Sequence, residues 1–186
     1  MSQQNFTHPL DDPAADPFEI AATAAAEIAE RTGVEKHDIA LTLGSGWAKA
    51  ADLIGETTAT IPALEITGFG KPALSGHVGT LRSVLLPSGK RALIIGARTH
   101  YYDGYGVRRV VHSVRTAAAT GASTMILTNG AGGIRETWSP GTPVLISDMP
   151  SISIPDCRAA IASSAVDMPT MCPPMAFAIC TSAGVS

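Results

Sequence analysis

Three side chains suited to holding an anion, moving a proton and packing on a sugar recur at alternating positions in Gly96 to Tyr105: Arg98, His100 and Tyr102. The apolar run before them, Ala92 to Ile95, reads as a buried strand. In a chain still extended there, residues i, i+2 and i+4 point the same way. A fixed cation, a switchable imidazole and a phenol then face one pocket. That set suits an oxygen-rich anion beside a sugar, and so phosphate chemistry. Gly44-Ser45-Gly46 adds a hydroxyl beside backbone N–H groups where a strand turns into a helix. It is not a P-loop, because no Gly-Lys-Ser/Thr follows, and Lys49 stands where a dinucleotide fingerprint needs its third glycine. His77 sits between glycines in a loop-like stretch. Asn129-Gly130-Ala131-Gly132-Gly133 follows another apolar strand, and glycines there allow close backbone approach or an anion-binding nest. Each signal alone also has an ordinary reading: a tight turn, a surface pair at a strand end, a loop histidine, a flexible turn. His112 falls inside a helix and reads as structural.

The elements that must position these residues alternate between strand and helix. Met1 to Ala15 reads as a mobile tail. Asp16-Pro17-Phe18-Glu19 starts a helix, with Asp16 as cap, Pro17 at the first helical position and Glu19 in the capping-box place. Gly33 ends it. Asp38 to Leu43 reads as a strand and Trp47 to Ile54 as a helix. Residues 65 to 79 form a long loop. Thr80 to Leu86 and Arg91 to Ile95 make a hairpin about Ser88-Gly89. Val107, Val110, Val111, Val114, Ala117 and Ala118 follow helical spacing, leaving Arg108, Arg109 and Arg115 off that face. Thr124 to Thr128 and Pro143 to Ser147 complete the strands. The pattern predicts an α/β fold with a mixed, largely parallel sheet flanked by helices.

Composition excludes several classes. The chain of 186 residues is 45% hydrophobic with a net charge of -3, which fits a globular domain and offers no basic surface for nucleic acid. No apolar run spans a bilayer, and the N-terminus lacks the pattern of a signal peptide, so the expected location is cytoplasmic with no membrane partner. Cys157, Cys172 and Cys180 lie at no metal-site spacing, and an odd count argues against a disulfide framework. Neither a metal nor a cofactor is expected.

In their order along the chain, Gly44-Ser45-Gly46, Gly76-His77-Val78-Gly79, Gly96 to Tyr105 and Leu127 to Gly133 resemble the trimeric purine nucleoside phosphorylases, the branch that includes methylthioadenosine phosphorylases. The resemblance covers about residues 20 to 148, and the Asn-Gly-Ala-Gly-Gly loop is similar to the purine nucleoside branch. It implies phosphorolysis of a purine nucleoside to free base and (deoxy)ribose 1-phosphate, with inorganic phosphate as co-substrate, in purine salvage and as a homotrimer. By similarity, Ser45, His77, Arg98, His100 and the backbone N–H of Gly130 would bind phosphate, with Arg98, His100 and His77 the catalytic set. Tyr102 would contact the ribose. The family carries alanine at the position of Gly130, a change that keeps the backbone donor.

The resemblance stops at Ser147-Asp148, where the family continues with a histidine-containing segment and the residues that read the purine. Purine-binding residues are therefore unassigned. From Met149 to Ser186 the charged residues are only Asp156, Arg158 and Asp167, and five prolines interrupt any regular period. A truncation or a shift of reading frame after about residue 148 would account for this change, as would a naturally divergent C-terminus, and residues 149 to 186 are expected to be disordered.

Overall fold

The computed structural model describes residues 8–43, 47–70, 79–128, 143–145 and 179–180. Five strands form one mixed sheet, in the order β2-β3-β4-β1-β5. They are β1 (Ile39–Thr42), β2 (Glu56–Pro62), β3 (Thr80–Leu85), β4 (Arg91–Ile95) and β5 (Thr124–Leu127). The central β1 runs parallel to both β4 and β5, while β3 pairs antiparallel with β4 and with β2. A separate antiparallel pair joins β6 (Pro143–Val144) to β7 (Ile179–Cys180), which links two short segments far apart in sequence.

Alternation along the central strands sends side chains to both faces. Leu93 and Ile95 of β4, Ala40 of β1 and Leu81 of β3 pack with Ala24 and Ile28 of α1 (Pro17–Thr32) and Ala117 of α4 (His112–Ala119). On the opposite face Ala92 and Ile94 meet Val84, Leu43 and Ala51, the last from the single turn α2 (Ala51–Ile54). Helices on both faces are thus the α/β arrangement that the strand and helix alternation predicts.

The cap signals at Asp16, Pro17 and Gly33 hold. The Asp16 carboxylate accepts from the Phe18 N–H at 2.7 Å, Pro17 opens α1, and the Gly33 N–H closes it on Ala29 O. The hairpin also forms: Leu86 N–H donates to Lys90 O and Gly89 N–H to Leu86 O, both at 2.9 Å.

Several features differ from the sequence reading, among them strand β2, which it did not include. The stretch expected as one helix from Trp47 to Ile54 is a 3-10 turn (Ala48–Ala50) followed by α2. The Val107 to Ala118 helix is split at Val111 into α3 (Val107–Val110) and α4. Residues 8 to 15, expected as tail, pack against the body: Leu10 is 2% exposed, and Arg108 donates to Asp12 O and Ala15 O. The arginines that hold this strap lie more than ninety residues away, beyond the reach of any local pattern. Strand β6 covers the first part of the Pro143 to Ser147 expectation, whose last two residues lie outside the described residues. Of residues 149 to 186, only β7 is described.

Candidate functional site

The described ends of β1, β3, β4 and β5 that adjoin the sequence candidates meet at one end of the sheet. Thr42, at the carboxyl end of β1, lies opposite Ile95 of β4 on one side and Leu127 of β5 on the other. Strand β3 begins at that end too, because it runs antiparallel to β4, and Gly96 N–H donates to Thr80 O at 2.8 Å. Thr128 donates to Thr42 O through its backbone N–H at 3.1 Å and its hydroxyl at 2.7 Å. Leu43, Gly79 and Thr128, described residues that each lie two positions along the chain from Ser45, His77 and Gly130, adjoin this end. Ser45, His77 and Gly130 themselves lie outside the described residues. In open α/β sheets, ligands bind outside the carboxyl ends of the parallel strands, where loops fan out.

Arg98, His100 and Tyr102 all fall on the segment that leaves β4. Arg98 is half-buried, and among the described residues its Nη1 reaches Thr128 O at 3.4 Å, a long contact for a guanidinium with five donors. His100 is extended and its N–H donates to Asp103 Oδ2 at 2.9 Å. Extension ends there, since Tyr101–Asp103 forms a 3-10 turn. Tyr102 therefore does not continue the i, i+2, i+4 alignment. Its ring instead stacks on His100, with centroids 4.7 Å apart and planes 10° from parallel, and Tyr102 stays 80% exposed.

Electrostatics follow from this packing. Partial burial lowers the His100 pKa below its ordinary value, and the neighbouring Arg98 charge lowers it further, against an opposing pull from Asp103. The imidazole is thus neutral near pH 7 and carries one donor and one acceptor nitrogen. A fixed guanidinium beside a neutral imidazole, open to solvent through an exposed phenol, is a site that can receive an oxyanion and hydrogen-bond it from two directions.

One participant escaped sequence reasoning. Arg98 and Thr99 line a shallow cleft together with Phe69, Arg109, His112 and Ser113. Arg109 reads in sequence only as a polar position on a helix. Nothing short of the fold brings it beside Arg98. His112 conforms to its structural reading: it is 2% exposed, holds Thr67 O at 2.9 Å and takes the edge of Phe69 at 5.0 Å.

No family model matches the chain. A purine nucleoside phosphorylase from Cellulomonas sp is 58% identical over 146 residues, which cover 76% of this chain and 52% of that protein. One from Mycobacterium tuberculosis is 48% identical over 139 residues, covering 75% of this chain and 52% of the relative. Among solved structures, a purine nucleoside phosphorylase in complex with ribose-1-phosphate superposes with a TM-score of 0.61 at 29% identity, over 69% of this chain and 46% of that one. The chain spans about half the length of the curated relatives it matches.

Proposed function

We propose that this chain, a homologue of the purine nucleoside phosphorylases, forms the phosphate and ribose side of a purine nucleoside phosphorolysis site. The observation that carries the reading is the placement of Arg98 and His100 on the segment leaving β4, at the end of the sheet where the Ser45, His77 and Gly130 segments also begin or end. Arg98 pairs with phosphate through its planar fork, and His100 donates a second hydrogen bond. The Ser45 hydroxyl, His77 and the Gly130 N–H complete the cradle, and Tyr102 lies against the ribose.

In this reaction a phosphate oxygen bonds to the anomeric carbon as the bond from that carbon to the purine nitrogen breaks. The base leaves with the bonding pair and takes up a proton. The sugar gains oxocarbenium character as the base departs. A phosphate dianion fixed below the ring is both the nucleophile and the counter-charge. Holding the two reactants in register is worth on the order of 7–11 kcal/mol in favourable cases. The reaction serves purine salvage, and the assembly is a cytoplasmic homotrimer.

A second reading, in which the chain binds phosphate without turning over nucleoside, is favoured by the described candidates Arg98 and His100 both being suited to phosphate. The purified chain, incubated with phosphate and either inosine or methylthioadenosine, separates the possibilities by its products. Release of hypoxanthine supports purine nucleoside phosphorolysis, and release of adenine from methylthioadenosine supports the sister activity. Phosphate uptake without either product supports the binding reading. Absence of both phosphate uptake and product would sink the assignment.

A further inference from the structure

Arg109 joins two parts of the molecule that sequence keeps apart. On one side its Nε donates to Asp11 Oδ1 at 2.7 Å and its Nη2 to Asp11 Oδ2, a two-pronged pair with the N-terminal strap. On the other side its guanidinium carbon lies 4.7 Å above the ring of Tyr105, the last residue of the segment that carries Arg98 and His100. Its side chain is only 14% exposed, and it lines the same cleft as Arg98 and Thr99. The guanidinium is therefore held between a carboxylate and an aromatic ring, two partners that suit a planar cation. The pairing also lowers the Asp11 pKa, chiefly through the hydrogen bond from Arg109, so the carboxylate stays charged at neutral pH. Arg108, the preceding residue, fastens the same strap to α3 through Asp12 O and Ala15 O, yet does not line the cleft.

We propose that Asp11 and Arg109 are positioning residues: the strap carboxylate orients Arg109, and Arg109 fixes the Gly96–Tyr105 segment so that Arg98 and His100 meet phosphate in the right geometry. The inference rests on the phosphate-binding reading above. Misplacement of a binding group by about 1 Å is enough to cost one to two orders of magnitude.

Calorimetric titration of the full chain with inorganic phosphate tests it. Asp11→Asn keeps the side-chain volume but removes the charge and one acceptor, and should weaken phosphate binding roughly tenfold. Asp11→Glu keeps the carboxylate and should stay within about threefold of wild type. Arg108→Ala removes the anchor at Asp12 O and Ala15 O while leaving the Asp11–Arg109 pair and the cleft in place. It should lower the thermal midpoint while leaving phosphate affinity within about twofold. A merely structural role would make phosphate affinity follow thermal stability across all three variants. Unchanged binding in Asp11→Asn, or equal weakening in Arg108→Ala, overturns the positioning role while the phosphate site stands. Failure of the wild-type chain to bind phosphate removes the site itself, and the inference with it.

Discussion

At the scale of single residues, Arg98 separates the two substrates of the proposed reaction. Its one described contact, Thr128 O at 3.4 Å, is too long to satisfy a guanidinium with five donors. A charge-assisted hydrogen bond is worth about 1.5–3 kcal/mol, so Arg98→Ala should raise the phosphate KM roughly tenfold or more while leaving the nucleoside KM nearly unchanged. Equal losses on both substrates would count against the assignment. The same variant has a second readout, independent of turnover. Because the Arg98 charge helps hold the His100 pKa down, its removal should move the His100 titration upward, observable in the imidazole proton shifts. The place of Arg98 and His100 just beyond a strand end was legible because an apolar run directly precedes them. The Arg109 contribution was not, because its partners Asp11 and Tyr105 come together only when the strap and α3 pack.

Among the elements, the Thr67–Gly70 turn shows how a loop can be specified by what it touches. Glu27 of α1 accepts from the Thr67 N–H at 2.7 Å and from its hydroxyl at 2.6 Å, and His112 of α4 holds Thr67 O from the other side. Gly68, at φ +80, passes so close that a Cβ would lie 2.4 Å from His112 Nε2. Gly89 has the same φ of +80 in the hairpin, but a Cβ there meets nothing within 4 Å. Gly89→Ala should therefore cost about 1 kcal/mol from backbone strain alone, and Gly68→Ala on the order of 3 kcal/mol because overpacking adds to it. Urea unfolding of the two variants measures the difference, and equal losses would show that His112 yields freely. The hairpin was readable from sequence, since Ser88-Gly89 separates two apolar runs. Strand β2 was not: Glu56–Pro62 buries only Ile61 and ends in proline, so its pairing with β3 is set by tertiary contact rather than by alternation. The break at Val111 was equally hidden, because the apolar spacing runs on through it.

For the whole molecule, two buried histidines tie stability to pH. His37 is fully buried and pairs with Ser83 Oγ at 3.0 Å, while His112 sits between α4 and the Thr67 turn. Burial is the main reason that both titrate at about 4 in the folded protein rather than at 6.5. Above pH 6.5 both are neutral, folded or unfolded, and their contribution is fully retained. As pH falls below 6.5, the unfolded chain takes up protons that the folded chain refuses, so stability is lost progressively down to about pH 4. At about 1.4 kcal/mol per pKa unit, each histidine costs about 2 kcal/mol at pH 5, and the pair about 4 kcal/mol. That is a large share of the roughly 5–15 kcal/mol that holds a domain of this size together. Denaturant unfolding at pH 7.5 and pH 5 should show the loss. His112→Gln, whose amide still donates to Thr67 O, should recover about 2 kcal/mol of the pH-dependent part. A stability that stays flat between those two pH values would mean that the folded chain admits the protons, and that neither imidazole is as closed off from water as its packing indicates.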